Sequence, residues 1–383
     1  MSVIVLGACG EIGRFTAADL AGSGFSVTVA DIREREGRTL AEELGKRASF
    51  KKVDVRDFDS LVESLEGNRL VVNTVGPYFE FGDVVARAAI CAGVNYLDIC
   101  DDHDVTLNLL GLSRKVEREG LTFLINMGAS PGITNIMARI GAMKLDKVHS
   151  VRVLWYEDTG ETIGLGQLMH WAHIAMGKVP TYSGGEWREV RALSERELVR
   201  FPDPCGFVPV YHVGHPEPVT IPRYIPTEEA VCKGGIIPES DVQLTRVMDK
   251  LIPVKNVKIV KLVCKFFLKI LPLLTGETEE RQVLSAFRSD VLGLKNRKTT
   301  NLSYAVVGPV AKLTSAPASI AAQMIAKREI ATPGVFPPEG CPDLNINKLV
   351  KELEKRQIHI KETKPKPPRL QSLPQQKQTT THR

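Results

Sequence analysis

The chain has 383 residues, 43% hydrophobic and 25% charged, which is enough for two domains with a core each. Its formal charge of +5 does not indicate a nucleic-acid partner: Lys361, Lys364, Lys366, Arg369, Lys377 and Arg383, against the single acid Glu362, gather that excess into a Pro- and Gln-rich tail over 361–383 that is expected to be disordered. The 7 cysteines are scattered without a C-x-x-C pair, which excludes a disulfide framework and a zinc cluster; with neither a signal-peptide pattern nor an apolar run of spanning length, the expectation is a soluble cytoplasmic protein without firm membrane association.

The first element is the apolar run Val3-Ile4-Val5-Leu6, suited to a strand buried on both faces. It leads into Gly7, Gly10 and Gly13, with Cys9, Glu11 and Ile12 between them, and then a helical pattern from Arg14 to Leu20. A strand, a glycine turn and a helix start make a phosphate cradle, because the backbone can approach a pyrophosphate closely and free N–H groups point at its charge. A second strand, Phe25 to Ala30, ends in Asp31, placed to hold the adenosine ribose hydroxyls. Together these predict a dinucleotide site. Asp31 favours NAD over NADP, while Ile32-Arg33 and Arg35 leave NADP open, since an arginine there can pair with a 2′-phosphate.

Alternation continues with a helix over Thr39 to Lys46, a strand over Ser49 to Val53, and a helix over Asp57 to Leu65 with Asp57 near its N-cap. A strand over Arg69 to Asn73 runs into Thr74-Val75-Gly76-Pro77-Tyr78, where Gly76 and Pro77 turn flat against a cofactor and Tyr78 projects toward the substrate side. A helix over Asp83 to Ala92, the strand VNYLDI, a helix over Leu107 to Glu119 and the strand LTFLIN complete a doubly wound parallel sheet of Rossmann type. Ligands bind at the carboxyl ends of such strands. Those ends carry Asp31, Asp54-Val55-Arg56, Asn73 to Tyr78, Asp98 to His103 and Gly128 to Asn135. Asp54 either accepts from the adenine amino group or caps the next turn.

From about Lys147 the texture is that of a mixed, proline-rich α+β domain, with alternating stretches near Phe207 to Val213 and Thr220 to Ile225 and a helix over Gly164 to Met176. Lys258, Lys261, Lys265 and Lys269 fall on one side of a basic amphipathic stretch over 257–271, read either as a domain or dimer element or as a membrane-surface helix. Ser315-Ala316-Pro317 opens an Ala-rich helix that can return to the first domain. The domains are accordingly 1–126, 127–312, a return segment 313–360 and the tail.

The array VVNTVGPYFEFGDVVARAAICAGVNYLDICDD, then INMGASPGITNIMAR, then FPDPCGFVPVYHVGHPEPVTIPRYIP, with the closing PASIAAQMIAKREIATPGVFPPEG, resembles the saccharopine dehydrogenase-like family in its short saccharopine reductase branch. The resemblance runs in order over about residues 1 to 360. It implies a Rossmann domain, a second domain that closes over the cofactor and carries a homodimer contact, and hydride transfer at a carbon bonded to nitrogen in an amino-acid or polyamine-like substrate. Where saccharopine reductases carry acids in a D-P-G-I-D loop, this chain has Ser130-Pro131-Gly132-Ile133-Thr134.

Within that frame Gly128, Ala129, Pro131 and Gly132 are expected to face the nicotinamide, and Ser130 and Asn135 the substrate. Arg223 is expected to clamp a substrate carboxylate, and His215, on the loop His215-Pro216-Glu217-Pro218, to exchange a proton with the substrate nitrogen. Either could instead anchor a proline-rich loop. Asp98, with Asp101, Asp102 and His103, forms an acidic cluster usable for a cationic amine or left as a solvated loop. Tyr78, Asp98 and His215 are the catalytic candidates, and His170 and His173 are read as packing residues. Two competing readings are a binding protein without turnover and a reductase of C=C or C=O substrates.

Overall fold

The computed structural model describes residues 2–158, 165–237, 239–251, 259–265, 268 and 284–363. The tail beyond 363 and part of the basic stretch, including Lys258 and Lys269, lie outside the described residues.

Strands β1 (Ser2–Leu6), β2 (Ser26–Asp31), β3 (Ala48–Lys52), β4 (Leu70–Asn73), β5 (Asn95–Asp98) and β6 (Thr122–Leu124) form one all-parallel layer. Val3, Ile4, Val5, Leu70, Val71 and Val72 are fully buried, as β-branched runs covered on both faces require. The second layer contains β7 (Lys147–Asp158), β8 (Lys178–Ser183), β9 (Glu186–Arg191), β10 (Glu197–Arg200), β11 (Phe207–His212), β12 (Glu229–Ile237), β13 (Ser285–Lys295) and β14 (Lys298–Gly308). The chain then returns. β15 (Gly334–Phe336) pairs with β6, and β16 (Lys361–Thr363) pairs with β14.

The first sheet therefore runs β15-β6-β5-β4-β1-β2-β3, with its strand order reversing between β1 and β4. A crevice opens at such a switch point. The second runs β10-β11-β12-β7-β13-β14-β16, with β8 and β9 attached to β12; it is mixed, because β12 and β7 are parallel. The doubly wound Rossmann layer and the second mixed domain are thus as expected. The helix Ile133–Met143 joins the two layers, packing on β13 with Ile136, Met137 and Ala138 buried.

Four local expectations are corrected. Thr220 to Ile225 is not a strand: Glu217–Tyr224 is helical, because Pro216 and Pro218 preset helical φ at its first turn. The return helix begins at Val310, not Ser315, since Pro309 already caps it and Ala311 and Leu313 are buried, leaving Pro317 in its interior. The helix expected from Asp83 begins at Tyr78. Lys361–Thr363, assigned to the tail, is the edge strand β16. The return helix packs on Glu11–Gly22, where Asp19 accepts from Ser319 and pairs with Arg356 at 2.9 Å. Among the described residues no helix is long and apolar enough to cross a membrane.

Candidate active site

The glycine turn is built for close backbone approach. Gly7 has φ +75 and its N–H bonds the Ala30 carbonyl at 2.9 Å, which ties the turn to β2. A Cβ on Gly13 would collide with the Gly7 carbonyl and the Thr74 hydroxyl, so helix and turn meet only through glycine. The helix Glu11–Gly22 starts with Gly10 at its N-cap and no side-chain cap, leaving N–H groups for an anion. These residues fit a nicotinamide dinucleotide.

Asp31 is buried at the end of β2. One oxygen accepts the Cys9 N–H at 2.9 Å, and the other accepts the backbone N–H and Nε of Arg33 at 3.0 and 3.2 Å. Cys9 thus contributes its backbone to the turn; burial, reinforced by Asp31, pushes its thiol up to about 11. Arg33 also pairs with Glu36 at 2.9 Å. At the end of β3 the hydrogen bonds from Arg56 hold Asp54 down at about 2. Ile32 and Val55 line the same cavity. On the β4 side the Thr74 hydroxyl donates to the Leu6 carbonyl at 2.7 Å and the Val75 N–H to Asn73 Oδ1 at 3.0 Å, while the space around Gly76 is open.

The Gly128 to Gly132 loop closes on itself. Gly128 N–H donates to the Pro131 carbonyl at 2.9 Å, and Gly132, at φ +131, leaves no room for a Cβ against the Gly128 backbone. Gly128, Ala129 and Ser130 line the cavity beside Gly76 and Pro77, with Pro131 and Gly132 shaping the turn behind them. Asn135 faces inward instead of toward the substrate: it accepts from the Gly132 N–H at 2.9 Å and donates to Glu339 at 2.9 Å. Burial pushes Glu339 up to about 7.

One cavity of about 1260 Å3 runs from Asp54 and Arg56 past Gly76 and Ser130 to His170 and His215. His170 is the residue that sequence reasoning missed. The helix Leu165–Ala175 brings it over the strand ends, with Nδ1 2.8 Å from Asp102 and Nε2 3.1 Å from Asp101. Burial would lower its proton affinity, but the two carboxylates outweigh that and raise it to about 9, so it is an imidazolium at neutral pH. Asp102 is fully buried; burial opposes its ionisation, yet His170 holds it below the usual carboxylate range. Its other oxygen accepts the Phe79 N–H at 2.8 Å. Asp101, a third exposed, is held above that range, by burial more than by its neighbours. No local signal in the sequence joins a helical histidine to an Asp-Asp pair about 70 positions earlier. His173 pairs with Asp104 at 3.2 Å and stacks on Phe79.

Tyr78 lines the cavity, but its hydroxyl is already engaged within the protein. Its hydroxyl donates to the Asn73 carbonyl at 2.7 Å beneath the turn, and burial raises its pKa well above 10. Asp98 is interior: one oxygen accepts the N–H groups of Cys100 and Asn126 at 3.1 and 2.7 Å, and burial pushes it up to about 6. It staples the end of β5 to the segment after β6, behind the acids that line the cavity.

His215 does line the cavity, with its ring 5.0 Å from Trp155 and 5.9 Å from His170. Its Nδ1 lies 3.3 Å from Glu217, whose other oxygen accepts from Ser130 at 2.6 Å and Thr134 at 3.2 Å. Burial opposes ionisation of Glu217, but His215 and Ser130 hold its carboxyl low. Ser130 is therefore turned toward an interior carboxylate, and the loop is pinned to the second domain. Among the described residues two groups bring three metal-ligand atoms within 4.8 Å of one another: His215, Glu217 and Cys232, and Asp101, Asp102 and His170. The clamp expected of Arg223 is corrected. It lies on the last turn of its helix, exposed and outside the cavity lining, donating to the Val219 carbonyl at 2.9 Å and lying 5.1 Å from the Trp187 ring centre.

Residues 3–124, the cradle and its sheet, match the family described as saccharopine dehydrogenase NADP binding domain. The whole fold is similar to a saccharopine dehydrogenase (L-Glu forming) from Saccharomyces cerevisiae, with TM-score 0.69 over 94% of this chain and 99% of that one. The first domain thus matches that family model, and the two-domain fold as a whole is the one seen in saccharopine dehydrogenase. At 16% identity the yeast structure speaks for the fold. Among curated relatives, a carboxynorspermidine synthase from Vibrio alginolyticus is 24% identical over 48% of this chain and 47% of its own length. A lipid droplet localized protein from Caenorhabditis elegans is 33% identical over 25% of each. The chain thus matches half or less of the length of these two relatives.

Proposed function

We propose that the chain is an NAD(P)-dependent oxidoreductase acting at a carbon–nitrogen bond of an amine-bearing, amino-acid or polyamine-like substrate. The observation that carries this reading is the Asp101–His170 pair in the wall of the cavity that Gly76 and Gly128 also line, backed by the buried Asp102. Two carboxylates around one imidazolium leave a single net negative charge, which favours a protonated amine or iminium over a neutral carbonyl. Similarity to carboxynorspermidine synthase supports the polyamine half of the reading.

When bound, a nicotinamide dinucleotide supplies or takes up the hydride. Asp101 accepts a proton from the amine nitrogen in the oxidative direction and returns it in the reductive one; its raised proton affinity suits both steps. Asp102 holds the His170 ring in place, and His170 keeps the Asp101 carboxylate oriented toward the cavity. His215, pinned by Glu217, shapes the neighbouring wall. NAD is the proposed cofactor, because a 2′-phosphate would meet the Asp31 carboxylate while Arg33 is already paired to Asp31 and Glu36.

The test is a screen of lysine, saccharopine, diamines with 2-oxo acids, enones and simple carbonyls, following nicotinamide absorbance with each cofactor. Turnover on amine or imine substrates supports the proposal. Turnover confined to C=C or C=O substrates overturns it.

A further inference from the structure

The cavity, about 1260 Å3 in volume, extends beyond the dinucleotide cradle. Asp31 and Asp54 stand at one end, over β2 and β3, and the cavity continues past β4 toward the helices Leu165–Ala175 and Glu239–Leu251. There Leu168, Trp171, Met176, Leu244, Met248 and Cys264 line it. The two helices are cross-tied: Trp171 Nε1 donates to the Thr245 hydroxyl at 2.9 Å, and Gly177 N–H to Asp249 at 2.9 Å. Met169, Ala172, Met176, Val260 and Cys264 form a small core of their own, separate from the main one, and Ala172, Met176 and Cys264 of it also face the cavity.

We infer that this apolar arm holds a long aliphatic chain, so that the substrate is an amine or imine with an alkyl tail. The inference deepens the carbon–nitrogen reading and rests on it for the head group only. Two further features fit an alkyl tail and not a second carboxylate. Of the cations that line the cavity, Arg33 and Arg56 stand at the dinucleotide end and Lys261, near the arm, is paired with Glu80 at 3.6 Å, while Arg223 is outside it. At the other end Leu244, which lines the cavity, is 42% exposed, and Val247 on the same helix and Leu262 on the next are exposed apolar residues as well.

The experiment uses the full chain with NAD present and the series butylamine, hexylamine, octylamine and decylamine, each below its micelle concentration, with Kd measured by calorimetry. Each methylene that enters the arm should tighten binding roughly fourfold, until the arm is filled and the gain stops. Leu168→Asp and, as an independent variant should that one fail to fold, Leu244→Asp should flatten the series while leaving NAD affinity unchanged. Equal Kd across the wild-type series, or an unchanged slope in a folded variant, overturns the inference. A clear slope without oxidation of any of these amines supports the tail site and counts against the carbon–nitrogen chemistry, which keeps the two failures apart.

Discussion

Replacing His170 by asparagine removes the one cation that Asp101 and Asp102 share. Its proton affinity rises from 6.5 to about 9, a difference worth about 3 kcal/mol at ~1.4 kcal/mol per unit, trimmed somewhat because the side chain keeps 17% of its surface exposed. A group whose folded value is raised adds stability that is fully present below pH 6.5 and is lost as pH climbs through 9. Wild type should therefore lose roughly 2–3 kcal/mol of unfolding free energy between pH 6.5 and 9.5 that the variant does not lose. Near pH 7 the variant should also be less stable by roughly 3–5 kcal/mol, because two facing carboxylates remain without their partner. Denaturant titrations of both proteins at half-unit pH steps measure this, and taking the difference cancels the other titrating groups. A difference that stays flat from pH 6.5 to 9.5 would refute the imidazolium assignment, and with it the charge argument for a cationic substrate.

Asp31→Ser should weaken NAD binding by about 1–3 kcal/mol, the scale of a lost charge-assisted hydrogen bond, and shift preference toward NADP, read by titration with each cofactor; a wild type that already prefers NADPH would mean Arg33 governs the choice. Arg223→Ala should leave substrate KM unchanged and cost about 0.5–1 kcal/mol of stability through the lost contact with Trp187. A large rise in KM in a folded Arg223→Ala protein would return that residue to the cleft.

The sequence by itself determined the parts whose causes are local. Val3 to Leu6 can only be a buried strand, Gly7 and Gly13 stand where backbone or side chain leaves no room for a Cβ, and Asp31 follows the second strand at the distance the cradle requires. The parallel layer and the mixed second domain were legible for the same reason, since hydrophobic period and turn residues encode them within a few positions. Contacts between elements far apart in the chain decided the rest. Tyr78 and Arg223 read from the sequence as loop residues facing a substrate, but helices that start after Pro77 and Pro216 carry them, and one hydroxyl bonds the Asn73 carbonyl while the other side chain lies on Trp187. His170 acquires its charge only because a helix from the second domain lays it on Asp101 and Asp102 of the first. Proton affinity and cavity shape depend on what surrounds a group in space, and that is set when the two domains pack.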